Sequence, residues 1–215
     1  MKGGVREMLY DYLKETYGEN EPIFISEIQY GNMSVASIRQ QIKKLTDCSR
    51  LKRYDTGIYY IPGKSIFKSG SQLSRDRVIE KKYLFSDGMR CGYFSGVLFA
   101  NQLGLTTQVS AIREVVTNRA SNPYREVTLA AAPLILRSPR AEVTDENYRE
   151  LQLMDLLADI DRYSEVDREL QNQRILAHMR AYHLAFSDLA VYLPVYPDRI
   201  YRNMYEVGLM NGISA

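Results

Sequence analysis

Ser34-Val35-Ala36-Ser37-Ile38-Arg39-Gln40-Gln41-Ile42-Lys43-Lys44-Leu45 is the stretch on which the reading of this chain turns. Ser34 is a good helix N-cap, because its hydroxyl can accept from the open amides of the first turn. Val35, Ile38, Ile42 and Leu45 recur at intervals of three and four, the spacing of a core-facing stripe. The rest of the surface shows Ser37, Arg39, Gln40, Gln41, Lys43 and Lys44. One face therefore packs and the other offers hydrogen-bond donors.

Upstream, Val5, Met8, Leu9, Tyr12 and Leu13 share a helical face, with Gly18 as the stop. Pro22 to Phe24 reads as extended, and Ser26 as the cap of a brief second helix reaching about Gln29, closed by the Gly31-Asn32 turn. Downstream, Leu51–Arg53 and Ile58–Ile61 read as strands around Asp55-Thr56-Gly57, with Gly57 supplying positive φ and Pro62 ending the second strand. Helix, short helix, polar helix and basic hairpin, in that order, predict a winged helix-turn-helix whose third helix enters the major groove while the wing meets the backbone. Arg39, Gln40 and Gln41 are the side chains suited to base edges; Ser37, Lys43, Lys44, Lys52, Arg53 and Tyr54 suit phosphates.

Charge points the same way. All nine lysines lie between Lys2 and Lys82, and residues 33–82 carry twelve lysines and arginines against four carboxylates, a balance of +8. From residue 83 onward thirteen arginines face sixteen carboxylates, so the formal net charge of +2 averages two unlike surfaces. A concentrated basic face gains affinity for phosphate through counterion release, which an evenly mixed surface does not. The plain alternative is a solvated basic face on a module that docks proteins.

With 215 residues the chain suits two domains. The expected class is α+β: a winged helix-turn-helix over residues 1–68, a basic connector and helix over 69–83, and a mixed α/β domain ending in helices over 84–215. Gly63-Lys64-Ser65 lacks the glycine that a P-loop requires at position 58, where Ile58 stands, so no nucleoside triphosphate site is assigned. In the second half Tyr93–Leu103 reads as one close-packed helix stopped by Gly104. Glu114–Asn118, Glu126–Ala130 and Leu134–Arg137 read as strands divided by Asn122-Pro123 and Pro133. Thr144 is read as the cap of a helix continuing through Asp161, followed by helices near Val166–Tyr182, Leu189 and Asp198–Val207.

Little of this points to catalysis. His178 and His183, five residues apart, lie about 140 degrees apart around a helix and make no shared metal face. Asp155 and Asp159 read as the wet side of an amphipathic helix rather than as ligands. Cys48 and Cys91 lack zinc spacing and read as reduced thiols. No dinucleotide loop follows a strand. Neither an enzyme activity nor a metal or other cofactor is expected. Met1–Leu13 has no signal-peptide core and no stretch is long enough to span a membrane, so the expected compartment is the cytoplasm, with no membrane partner.

Read with the winged head, Gly57-Ile58-Tyr59-Tyr60-Ile61-Pro62 and Ala100-Asn101-Gln102-Leu103-Gly104-Leu105-Thr106-Thr107-Gln108 give a chain that resembles the AbiEi-like antitoxins and transcriptional regulators over about residues 1–140. The resemblance implies a bacterial autorepressor that binds inverted-repeat operator DNA; palindromic DNA would in turn suggest two copies. It also implies an antitoxin role toward a co-encoded nucleotidyltransferase-like toxin, with no stable complex required. The two alternatives are a protein-interaction module with a structural winged head and a nucleic-acid-processing enzyme with an unrecognised site.

Overall fold

The computed structural model describes residues 2–64 and 71–210, with side chains from residue 8, and divides the chain into two units, Met1–Lys82 and Tyr83–Ala215. Val5 as a packing side chain, and Ser65, Lys68 and Ser69 of the basic stretch, lie outside what is described. The architecture is mixed α+β.

The first unit begins with α1, Lys2–Tyr17, which ends where Gly18 takes φ +82, a conformation glycine adopts without steric penalty. Leu9 and Leu13 are fully buried, whereas Met8, read as part of the same stripe, is exposed. β1, Ile23–Phe24, leads into a single 3₁₀ turn, Ile25–Glu27. The short helix expected after Ser26 is thus one turn only, with no side-chain cap. Pairing of Phe24 with Ile58 keeps the chain extended up to residue 24, and Ser26 falls inside the turn rather than before it.

α2, Val35–Asp47, starts at Ser34, whose hydroxyl accepts from the Ser37 amide at 3.2 Å. Ile38, Ile42 and Leu45 are buried, but Val35 is 57 % exposed. A first-turn residue extends past the end of the core, so the stripe is one residue shorter than its periodicity. β2, Lys52–Asp55, and β3, Ile58–Tyr60, close around Thr56-Gly57, with Gly57 at φ +74. The antiparallel sheet has the order β1-β3-β2. Leu9, Leu13, Ile23, Ile28, Ile38, Ile42, Leu45, Leu51 and Ile61 form its core. The segment read as a connector resumes with α3, Arg75–Ile79, which widens into a π turn over Glu80–Leu84. Arg77 bonds Glu21 at 3.0 Å and Lys81 donates to the Pro22 carbonyl at 2.8 Å, so this stretch is held against the start of β1.

In the second unit a two-strand hairpin, β4 (Phe85–Ser86) and β5 (Met89–Arg90), precedes β6, Gly92–Ser95, and α4, Gly96–Gln102. The single helix expected over Tyr93–Leu103 is therefore a strand and then a helix. Tyr93 and Phe94 pair with Val116 and Val115, and Gly96 at φ +65 makes the corner between them. β7 (Arg113–Thr117), β8 (Arg125–Leu129) and β9 (Ala132–Arg137) complete a sheet of order β6-β7-β9-β8, in which β7 and β9 are parallel and the other pairs antiparallel. Pro133, expected to separate strands, lies within β9. Its lack of an N–H does no harm there, because β7 joins β9 only from Leu134 onward.

α5, Tyr148–Ala158, starts four residues beyond Thr144, the residue read as its cap. Thr144 instead closes the turn ahead of the helix, accepting from the Glu146 amide at 3.2 Å and donating its own amide to Asn147 Oδ1 at 2.8 Å. α6 (Ile160–Tyr163), α7 (Arg168–Ala181, capped by Asp167), α8 (Phe186–Ala190) and α9 (Arg199–Glu206) follow. Leu151, Leu153, Met154, Leu156, Leu157 and Ala158 are all buried, so α5 is covered on every side, and Leu189, Ile200 and Leu209 join the same core.

Asp155 corrects the amphipathic reading. It is 9 % exposed, accepting from Tyr93 Oη at 2.8 Å and Tyr196 Oη at 2.9 Å, while Asp159 pairs with Arg199 at 2.6 Å. Burial pushes the Asp155 carboxyl upward, against the two phenolic donors and the nearby Arg137 and Arg140 that favour its charge. Tyr196→Phe leaves one carboxylate oxygen without its donor in a buried site. It is expected to cost about 1.5–3 kcal/mol in chemical denaturation, with an unchanged denaturant slope.

Candidate nucleic-acid interface

The turn-by-turn arithmetic of α2 decides which polar side chains face outward. With Ile38, Ile42 and Leu45 inward, steps of about 100 degrees carry Gln40 and Lys43 to the opposite side and Arg39 and Lys44 to its flanks. All four are exposed. Ser37 is half-buried, with its amide engaged by Ser34. Gln41 departs from the reading that grouped it with Arg39 and Gln40. It lies beside the core flank, half-buried, with Oε1 buried and without a hydrogen-bond partner among the described residues.

The hairpin divides its three candidates. Arg53 stands opposite Tyr59 and is exposed; its Nε donates to the Asp55 carbonyl at 3.3 Å and its Nη2 to Thr56 Oγ1 at 3.1 Å, which holds the guanidinium at the turn. Lys52, opposite Tyr60, belongs to the other face of the ribbon. Tyr54 is the extra residue of a bulge, since the register passes from Arg53↔Tyr59 to Asp55↔Ile58. Burial pushes its phenol upward and Arg75 draws it back, so it stays a neutral donor near pH 7. Arg53 and Arg39 both line a groove of about 820 Å³ between the hairpin turn and the first turns of α2, with Val35, Thr56, Gly57 and Tyr59 among its walls. The exposed Val35, which sequence periodicity assigned to the core, is thus a groove residue.

Much of the remaining positive charge is spent within the unit. Arg77 pairs with Glu21 and Glu80, and Lys14 with Glu19. Arg50 stacks over Tyr10 at 4.2 Å. Lys81 is half-buried against Tyr17, near Glu27, and burial lowers its affinity for a proton. By contrast, no carboxylate of the described residues pairs with Arg39, Lys43 or Lys44. The available charge is therefore concentrated on α2 more sharply than the +8 of the segment conveys.

Outside this surface, no group of three or more His, Cys, Asp or Glu side chains among the described residues is placed to hold a metal ion. None of the described helices is long and apolar enough to cross a membrane. The Gly104–Gln108 phrase has a clear structural use. Glu165 accepts from Thr106 Oγ1 at 2.5 Å, the Thr107 amide at 3.0 Å and Gln108 Nε2 at 2.7 Å, which holds its carboxyl below the usual range. In comparisons with known proteins, neither a family model nor a curated protein matches the chain.

Because Ser34 answers an open amide at the start of α2, Ser34→Ala is expected to lower the stability of the first unit by about 0.5–2 kcal/mol, read by denaturation of the full chain.

Proposed function

We propose that residues 1–82 form a winged helix-turn-helix that binds double-stranded operator DNA, with α2 in the major groove and the β2–β3 hairpin as the wing. The carrying observation is that Arg39, Lys43 and Lys44 stand exposed on one helix without acidic partners, with Arg53 across the adjoining groove. Cations held in this way on a helix that would otherwise repel itself suit a polyanion. Arg39 and Gln40 are the base-reading residues, Arg on guanine and Gln on adenine, while Lys43, Lys44 and Arg53 hold phosphates.

The wider role rests on the resemblance to AbiEi-like antitoxins. In that reading the protein represses its own operon through an inverted repeat, and the second unit serves neutralisation of a co-encoded nucleotidyltransferase-like toxin without forming a lasting complex with it. Two copies would then occupy the two half-sites.

The test is binding of the purified chain to its own upstream DNA and to scrambled DNA over a range of salt. Preference for the upstream DNA that persists at physiological salt supports an operator-reading regulator. Equal and steeply salt-dependent binding to both would leave only a basic surface, and no binding would favour a protein-docking head. Arg39→Ala or Gln40→Ala should cost about 1–3 kcal/mol on the operator and relax the base preference at one position. Lys44→Ala should weaken all sequences alike and reduce the salt slope by about 1; an unchanged slope would take Lys44 off the phosphate-binding surface.

A further inference from the structure

A row across the sheet of the second unit brings two unlike charges to one place. Tyr93 on β6 stands opposite Val116 on β7, and Val116 is level with Arg137 at the end of β9, so all three project from one face of the sheet. Tyr93 donates to Asp155 of α5 on that face. Arg137 and Asp155 then line a common cavity of about 360 Å³, with Arg140, Ser138, Pro123 and Val195 completing most of its wall.

Arg137 acts on Asp155 through its field, with no direct bond between them. It is half-buried, yet its side chain makes no hydrogen bond, ion pair or ring contact with any described residue. A guanidinium has five N–H donors, and no Arg137 nitrogen is both buried and unanswered, so its donors are open to the cavity and available to an incoming acceptor. Arg140 is only loosely engaged, lying over the Tyr196 ring at 5.0 Å with Nη1 3.4 Å from the Val195 carbonyl. Asp155 is the opposite case. Each of its oxygens accepts one tyrosine hydroxyl, which leaves further lone pairs for a donor in the cavity.

The geometry points to a binding site for a small phosphorylated sugar, with Arg137 and Arg140 holding the phosphoryl oxygens and the Asp155 carboxylate accepting from a sugar hydroxyl. Two guanidiniums outnumber one carboxylate at the cavity, so an anion is favoured. Planar N–H forks match phosphoryl oxygens, and a carboxylate fixed by two phenols is a preorganised acceptor for a hydroxyl. A simple anion would leave the carboxylate facing it without a donor between them. A neutral sugar would leave the arginines unanswered. The site lies wholly within the second unit and does not depend on the nucleic-acid reading.

The test is calorimetric titration of the full chain, at fixed ionic strength, with ribose 5-phosphate, inorganic phosphate and ribose. Saturable binding of ribose 5-phosphate, tighter than that of inorganic phosphate and absent for ribose, is the expected result. Arg137→Gln should weaken it at least about tenfold, while Arg180→Gln, an exposed charge change on α7, should leave it unaltered. Should Arg137→Gln fail to fold, Arg140→Gln is read in its place, with the same loss expected. Absence of saturable binding, an unchanged affinity in the variant that folds, or an equal loss in Arg180→Gln would each overturn the site. Equal binding of inorganic phosphate and ribose 5-phosphate would overturn the part given to Asp155.

Discussion

A helix buried on every side brings its polar groups into the core with it, and the second unit is built around answering those of α5. Its sequence, Leu151-Gln152-Leu153-Met154-Asp155-Leu156-Leu157-Ala158, has one ionisable side chain in the middle and open carbonyls at the end. Asp155 is met from both sides, by Tyr93 from the sheet and Tyr196 from the segment before α9. The terminal carbonyls are met by α9: Asn203 Nδ2 donates to Leu157 O at 2.8 Å and Arg199 Nε to Ala158 O at 2.7 Å. Without these donors each group would be left desolvated and unanswered. The positions of β6, α9 and the loop between α8 and α9 are therefore tied to one helix by directional bonds as well as by packing.

The first unit solves a different problem. Its core is small and ordinary, and its distinctive property is where the acids are. Glu19, Glu21, Glu27 and Glu80 each lie near a lysine or arginine away from the outer face of α2. Such exposed pairs contribute little to stability. Their effect is on the field: they neutralise cations elsewhere and leave the helix face as the positive surface.

Elements governed by local chemistry were legible in the sequence. Ser34 caps the helix it was read to start, Gly18 and Gly57 take positive φ where turns need it, and the three strands around residues 113–137 fall close to where β-branched runs placed them. What failed depended on distant partners. Tyr93–Ser95 has helix-compatible small and apolar neighbours, and only pairing with residues twenty positions away makes it a strand. Val35 fits the stripe by period, but the core ends before reaching it. Asp155 looks like a solvent-facing acid at the spacing of Asp159, and two tyrosines far along the chain make its burial tolerable. On the candidate interface the helix face was legible by counting, whereas the demotion of Gln41 and the grouping of Arg39 with Arg53 required the packed structure. Arg137 carried no signal at all, because its place beside Asp155 follows from parallel pairing of β7 with β9.

The donors that close the end of α5 also set an order of events during synthesis. Leu157 and Ala158 leave the ribosome more than forty residues before Arg199 and Asn203, the groups that answer their carbonyls. Until α9 has emerged, water must serve those carbonyls, and the apolar face that Ile200 and Met204 will cover stays wet. The second unit therefore completes its core only after α9 has emerged, while the cluster of the first that runs from Leu9 to Ile61 has all its members in place more than a hundred residues earlier.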